Sequence, residues 1–254
     1  MKRLLTIGII CAVLVLGSGY AFAGKYLVYD PGGSQDNIQA AMTQLGYTFD
    51  VRTSAAGNQV TSTDLTSGTY EALVIGWSVD GDYSGLAAVS SAGITGNAVL
   101  TGHDADYHTA TGVLAAATVM KRMVDFAGNA AGTGILAFTE WTTSPFAYLP
   151  AEWAIKAVGE TSGEIVTSIT PAGTASGFYN GLTLGQLSNW GNSFHAYFTG
   201  YGAMFSPFEY GDFGGTDSVI TIGTTVTPLV TPEPLTLLLL GCGLLGLLGL
   251  GKRD

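Results

Sequence analysis

Basic residues and thiols are what this chain of 254 residues lacks. Nine Lys and Arg stand against 19 Asp and Glu, a formal net charge of -10, and so acidic a surface repels the phosphates that a nucleic-acid-binding protein must neutralise. The two cysteines, Cys11 and Cys242, both fall in apolar terminal segments, so the stretch between them holds neither a disulfide nor a nucleophilic thiol. Charged residues make up only 11% and hydrophobic ones 47%, which excludes charge-driven disorder. With 37 Gly but only 8 Pro, a collagen-like chain is excluded as well. The middle must fold on its own apolar core.

The N-terminus reads Met1-Lys2-Arg3, then an apolar run through Leu16, then Ala21-Phe22-Ala23 before Gly24. A positive region, an apolar region and a small-x-small step in that order make residues 1–23 a secretory signal peptide. Cys11 lies inside the apolar run behind Ile9 and Ile10, not behind the small residue that lipidation requires. At the other end, Thr231-Pro232-Glu233-Pro234 precedes the uncharged residues 235–251 and Lys252-Arg253-Asp254. About 17 residues at 1.5 Å each span roughly 26 Å, a minimal transmembrane helix. The terminal Lys252-Arg253 pair favours the cytoplasmic side, which leaves the chain before Pro232 outside. The prolines keep Glu233 on extended, accessible backbone.

This tail of three parts, Pro232-Glu233-Pro234, a Leu/Gly helix and Lys252-Arg253, resembles the PEP-CTERM sorting signal of Gram-negative bacteria. The resemblance implies a membrane-embedded exosortase as processing partner, alongside signal peptidase, and transient residence in the inner membrane. It also implies a mature protein at the cell surface or in the extracellular matrix, in bacteria that make exopolysaccharide and biofilm. Without the two ends, residues 24–231 keep Lys25, Arg52, Lys121, Arg122 and Lys156 against 17 carboxylates, which suits solubility outside the cell or cation binding.

The middle alternates between two periodicities. Lys25-Tyr26-Leu27-Val28-Tyr29-Asp30 reads as a strand, Pro31-Gly32-Gly33 as a turn, and Ser34 as the cap of a helix through Ile38, Ala41, Met42 and Leu45 that stops at Gly46. Further strands are expected at residues 47–52, 70–75, 97–101 and 134–138, with one long amphipathic helix over residues 107–126. Beyond Trp141 the pattern predicts a helix at residues 150–158, a strand at 164–169, a Gly- and aromatic-rich loop region to Gly215, and a last strand at 218–222. Residues 223–231 read as a linker. Strands apolar on both faces that alternate with helices predict a single α/β domain, residues 24–222, with a mostly parallel sheet covered by helices on both faces.

In element order this domain resembles the flavodoxin-like sheets, and among them the class I glutamine amidotransferase-like superfamily. The strand ending at Asp30, the Val99-Leu100-Thr101-Gly102 strand and turn, and Asn180-Gly181-Leu182 followed by Ser193-Phe194-His195 carry that resemblance. The family's nucleophile is a Cys in a glycine-flanked turn after a strand, whereas here His103 follows Gly102. The family's amidase chemistry therefore has no thiol to use. The resemblance also implies that a late histidine, His195, returns to the nucleophile strand.

In a parallel sheet the binding crevice lies at the carboxyl ends of the strands. Residues just past those ends are Asp30 to Gly33, Trp77-Ser78, Gly102 to His108, and Glu140-Trp141. The densest group is Gly102-His103-Asp104-Ala105-Asp106-Tyr107-His108. His103, Asp104, Asp106 and His108 offer imidazole and carboxylate ligands for a divalent metal such as Zn²⁺ or Mn²⁺ if the segment turns into a helix. His103, Asp104 and His195 form the candidate catalytic set of a secreted hydrolase. The other reading makes Asp104 or Asp106 a helix cap and the histidines loop residues.

Three weaker signals complete the reading. Ser78 misses the G-x-S-x-G spacing by one residue. Pro31-Gly32-Gly33-Ser34 lacks both a phosphate-binding glycine pattern and a P-loop lysine. Tyr197, Tyr201, Phe205, Phe208 and Tyr210, interleaved with Gly, form a candidate platform for sugar rings. Together the residues predict an exported, processed surface or matrix protein with a non-enzymatic binding or structural domain, the alternative being the secreted hydrolase.

Overall fold

The computed structural model describes residues 24–32, 37–77, 82–138, 142, 144–159 and 161–224. Both terminal segments, with the signal peptide, Pro232, Glu233, Pro234, the 235–251 helix and Lys252-Arg253, lie outside the described residues, as do Gly33, Ser34, Ser78, Glu140 and Trp141. Among the described residues no helix is long and apolar enough to cross a membrane.

Five strands, β1 (Lys25–Tyr29), β2 (Thr48–Arg52), β3 (Ala72–Ile75), β4 (Ala98–Thr101) and β5 (Gly134–Phe138), run parallel in the order β2-β1-β3-β5-β4. Their side chains alternate between two apolar layers. Leu27, Leu73, Ile135 and Ala98 stand opposite one another across four strands and face one layer, while Val28, Val74, Leu136 and Val99 face the other. Burial on both sides is why these segments read as unbroken apolar runs.

The two layers are covered unequally. On one face lie α1 (Asn37–Gln44), which contributes Ile38, Ala41 and Met42, and the long α4 (Leu114–Gly128), which contributes Val119, Met120, Met123 and Val124. On the other the described residues place the five-residue α2 (Ser62–Thr66), with Leu65, and short turns that bring in Leu86, Phe146 and Trp153. The expected helices on both faces are thus full-length on one side alone. The single helix expected over residues 107–126 is also divided into α3 (Ala105–Ala110) and α4. Gly112 takes φ 95° between them, a left-handed conformation that glycine accepts without a Cβ clash and that interrupts the helical hydrogen bonds.

The second half of the sheet is antiparallel, which the sequence did not announce. β10 (Thr216–Thr224) pairs with β4 on the parallel half and with β8 (Tyr197–Gly200) and β9 (Phe205–Phe213), while β6 (Lys156–Val158) pairs with β8 and β7 (Ile165–Ile169) with β9. The helix expected at 150–158 is instead a single 3₁₀ turn, Ala151–Trp153, followed by β6. Ala154 at φ 51° ends that turn. The region expected to be loop up to Gly215 contains β8, β9 and the short helix α5 (Pro171–Ser176), capped by Thr170 onto the Gly173 N–H. Antiparallel strands joined by tight turns such as Gly214-Gly215 need no crossover helix, so the helix-strand alternation that betrays a parallel sheet is missing there.

Candidate functional site

The polar centre of the molecule is built where β4 ends and the chain passes close to a late loop. Gly102 donates from N to Ile220 O at 2.6 Å and accepts the His195 N–H at 2.7 Å. A Cβ at Gly102 would stand 2.0 Å from Ala196 O, so only glycine lets the two segments touch. This contact, made by backbone alone, brings residues 193–195 beside His103 and Asp104.

His103 lies fully buried, with an acceptor at each ring nitrogen: Ser193 O is 2.9 Å from Nδ1 and Glu209 Oε2 is 2.9 Å from Nε2. A carbonyl can only accept, so Nδ1 carries a proton. Glu209 Oε2 also accepts from Tyr179 OH at 3.0 Å and from Thr221 Oγ1 at 2.9 Å. Since the Thr221 hydroxyl donates to Glu209, its oxygen accepts from Thr101 Oγ1 at 2.9 Å, and Thr101 Oγ1 in turn accepts the His103 N–H at 3.1 Å. Burial disfavours a charged His103, but the carboxylate of Glu209 outweighs it and raises the imidazole's pKa. The result is a histidine–glutamate pair sealed in the core, in which Glu209 favours the protonated imidazole.

Asp104 opens a second group one residue later. Its Oδ2 lies 3.2 Å from both His195 Nε2 and His108 Nε2, and all three side chains are almost wholly buried. Burial raises the carboxyl, yet the two histidines overcome it and hold Asp104 below its ordinary value. Asp106, fully buried, accepts the Trp77 N–H on Oδ2 at 2.7 Å. Burial first, and then the charge of Asp104, push it up to about 7 despite that hydrogen bond. Two carboxyls two residues apart are thereby driven in opposite directions. Half-exposed rings wall this group: Trp77 lies 5.2 Å from His195 and 5.8 Å from Tyr107, and Trp190 lies 5.6 Å from His108.

The expected sets are therefore redistributed. His103, Asp104, Asp106 and His108 do not form a metal cage: both His103 nitrogens are engaged by Ser193 and Glu209, leaving no lone pair to offer. Among the described residues no group of three or more His, Asp or Glu side chains is arranged to hold a metal ion. Of His103, Asp104 and His195, the last two meet and His103 turns to Glu209. The cap reading is corrected too, because Asp104 occupies the N-cap position of α3 while its side chain makes no cap hydrogen bond. It is committed to histidines instead. The sugar platform is not a surface feature as a whole, since Phe205 and Phe208 are buried in opposite apolar layers. Sequence reasoning missed Glu209, Tyr179, Thr221 and Trp190, and placed Trp77 at a strand end without giving it a role. The available signal for Glu209 was a carboxylate flanked directly by Phe208 and Tyr210 in an aromatic-rich stretch, since a charge buried there needs a partner.

Compared with protein-family models, with curated proteins and with solved structures, the chain matches none.

Proposed function

We propose that this chain is an exported surface or extracellular-matrix protein, freed from the inner membrane by exosortase processing of its tail, whose α/β domain binds a small ligand. The ends of the sequence support the export half of this reading. One observation carries the binding half: Asp104 Oδ1, Asp106 Oδ1 and Thr109 Oγ1 are buried without a hydrogen-bond partner beside the carboxyl ends of β3 and β4. Buried polar atoms are otherwise satisfied, since each one left bare costs about 1–3 kcal/mol. Several in one place at the crevice of a parallel sheet call for an occupant.

The domain is further proposed to be a variant of the class I glutamine amidotransferase-like architecture. In favour stand a β2-β1-β3 start and a late histidine beside the turn after β4. Against a plain flavodoxin-like sheet stands the order β5-β4 where that fold has β4-β5. Hydrolysis is the second reading. It is favoured by the contact of Asp104 with His195 at 3.2 Å, in which the carboxylate orients an imidazole as a general base requires.

Protein purified from culture medium tests the first reading. Mass spectrometry should find a mature chain that begins near Gly24 and ends before Leu235. Protein that reaches the medium with residues 235–251 still attached would overturn processing. Turnover of ester or glycoside substrates that is lost in His195→Gln would replace the binding reading by the hydrolase.

A further inference from the structure

Resting on the binding reading, we infer that the ligand of the Asp104 group is a neutral saccharide unit, held by Asp104, Asp106, Thr109 and Trp77 and flanked by the rings of Trp77, Tyr107 and Trp190. The unpartnered atoms identify the chemistry. Asp104 Oδ1, a carboxylate oxygen, accepts; Trp77 Nε1, buried and also without a partner, only donates. The Thr109 hydroxyl does both, and Asp106 Oδ1 belongs to a carboxyl that burial keeps partly protonated. Asp106 and Thr109 stand one turn apart on the same side of α3.

This mixture excludes the charged classes. Among the described residues a phosphate or carboxylate finds no Lys or Arg there, since Lys25 pairs with Asp50, Arg52 with Asp64 and Lys121 with Asp125, Arg122 donates to the carbonyls of Phe178 and Asn180, and Lys156 lies exposed on β6. The two imidazoles of the group, His108 and His195, both face the carboxylate of Asp104, which repels an anion. No three His, Asp or Glu side chains among the described residues suit one metal ion. An organic ammonium would use the acceptors but leave the Trp77 N–H bare. Hydroxyl groups donate and accept at the same atom and so match every member of the set. The aromatic rings supply the rest, because a sugar ring presents flat C–H faces that pack on half-exposed aromatics, in the usual mixture of an apolar wall with few polar contacts.

The test is titration of the full mature protein, followed by tryptophan fluorescence and by chemical shifts. The probes are D-glucose, D-galactose, D-mannose and N-acetylglucosamine, with dextran to separate a free sugar from a unit within a polymer. Tetramethylammonium chloride, inorganic phosphate and CaCl₂ serve as charged alternatives. At least one neutral sugar or dextran should saturate. Thr109→Val, close in shape, should weaken that binding about tenfold, the loss of one hydrogen bond, with an unchanged melting temperature. Trp190→Ala, at a ring that is already partly exposed, should weaken it too if Thr109→Val disturbs folding. Saturation by a charged probe and not by sugars overturns the saccharide assignment but leaves the binding reading standing. Silence from every probe overturns the assignment and the binding reading together.

Discussion

At the end of β4 two consecutive residues, His103 and Asp104, lead into polar groups of opposite character. Around His103 both ring nitrogens have a partner, and Glu209 Oε2 gathers an imidazole, a phenol and a hydroxyl, with Glu209 Oε1 the one oxygen of that carboxylate left bare. Around Asp104 the polar atoms outnumber their partners, with Oδ1 of both Asp104 and Asp106 left bare. The first group joins β4 to β9, β10 and the loop at Ser193 and Tyr179, so it pins the antiparallel half of the sheet to the parallel half. A buried network whose members bind one another across strands specifies structure, whereas buried polar atoms left bare cost stability. The two histidines that the sequence places five residues apart, His103 and His108, thus belong to different tasks.

The largest effect is expected from removing one member of the His103–Glu209 pair. Glu209→Ala should cost about 3–5 kcal/mol, because it leaves the buried His103 ring, the Tyr179 hydroxyl and the Thr221 hydroxyl without the carboxylate they share. Urea unfolding measures it, and the double variant His103→Ala with Glu209→Ala should lose less than the sum of the two single changes. A loss below about 1 kcal/mol, as for exposed pairs, would mean that solvent reaches Glu209, and the contrast between the groups would disappear.

Acidity separates the groups next. Burial lifts Asp106 to about 7 from about 3.9 in an unfolded chain. A group whose folded pKa is raised favours folding while protonated, so its contribution is intact below about pH 4, falls as pH rises, and is gone above about 7. His103, raised by Glu209 against burial, prolongs the fall from about pH 6.5 upward. Asp104 is lowered by its histidines against burial. Its contribution is present above about pH 3.9 and lost as pH falls through its folded value. Stability should therefore peak in mild acid, near pH 4–5. Asp106→Asn should flatten the fall between about pH 4 and 7, an effect of up to about 4 kcal/mol from three pKa units. A maximum at neutral pH that Asp106→Asn leaves in place would remove Asp106 from the account.

What the sequence disclosed follows the same division. The parallel strands were legible because burial on both faces writes them as runs such as Ala72-Leu73-Val74-Ile75, and β5 was legible at Gly134–Phe138. The strands β8 and β9 were not, since Gly200, Gly202 and Gly211 interrupt the aromatic run and Pro207 sits inside β9, all features of loops. Within the site, the four-residue spacing of Asp104 and His108 is that of neighbours on one helical side, and the structure brings them within 3.2 Å. Spacing carried no trace of Glu209, which lies 106 residues from His103. Only the register of β9 on β10 and of β10 on β4 brings that pair together.

Asp104 itself offers the finest test, because it stands at a cap position without acting as a cap. Serine is among the best N-cap residues and replaces aspartate there at almost no cost when the side chain serves the helix alone. In this protein the carboxylate holds His195 and His108, and serine is too short and uncharged to do so. Asp104→Ser should lose about 1–3 kcal/mol, since two buried imidazoles are left without their acceptor while the helix gains at most one hydrogen bond. It should also lower the pKa of Asp106, because the charge of Asp104 is one of the causes that raise it. Thermal or urea unfolding reads the first effect and carbon-detected titration of the Asp106 carboxyl reads the second. Wild-type stability with an unshifted Asp106 would return Asp104 to the role of an ordinary helix cap, and the polar group at the strand ends would lose its centre.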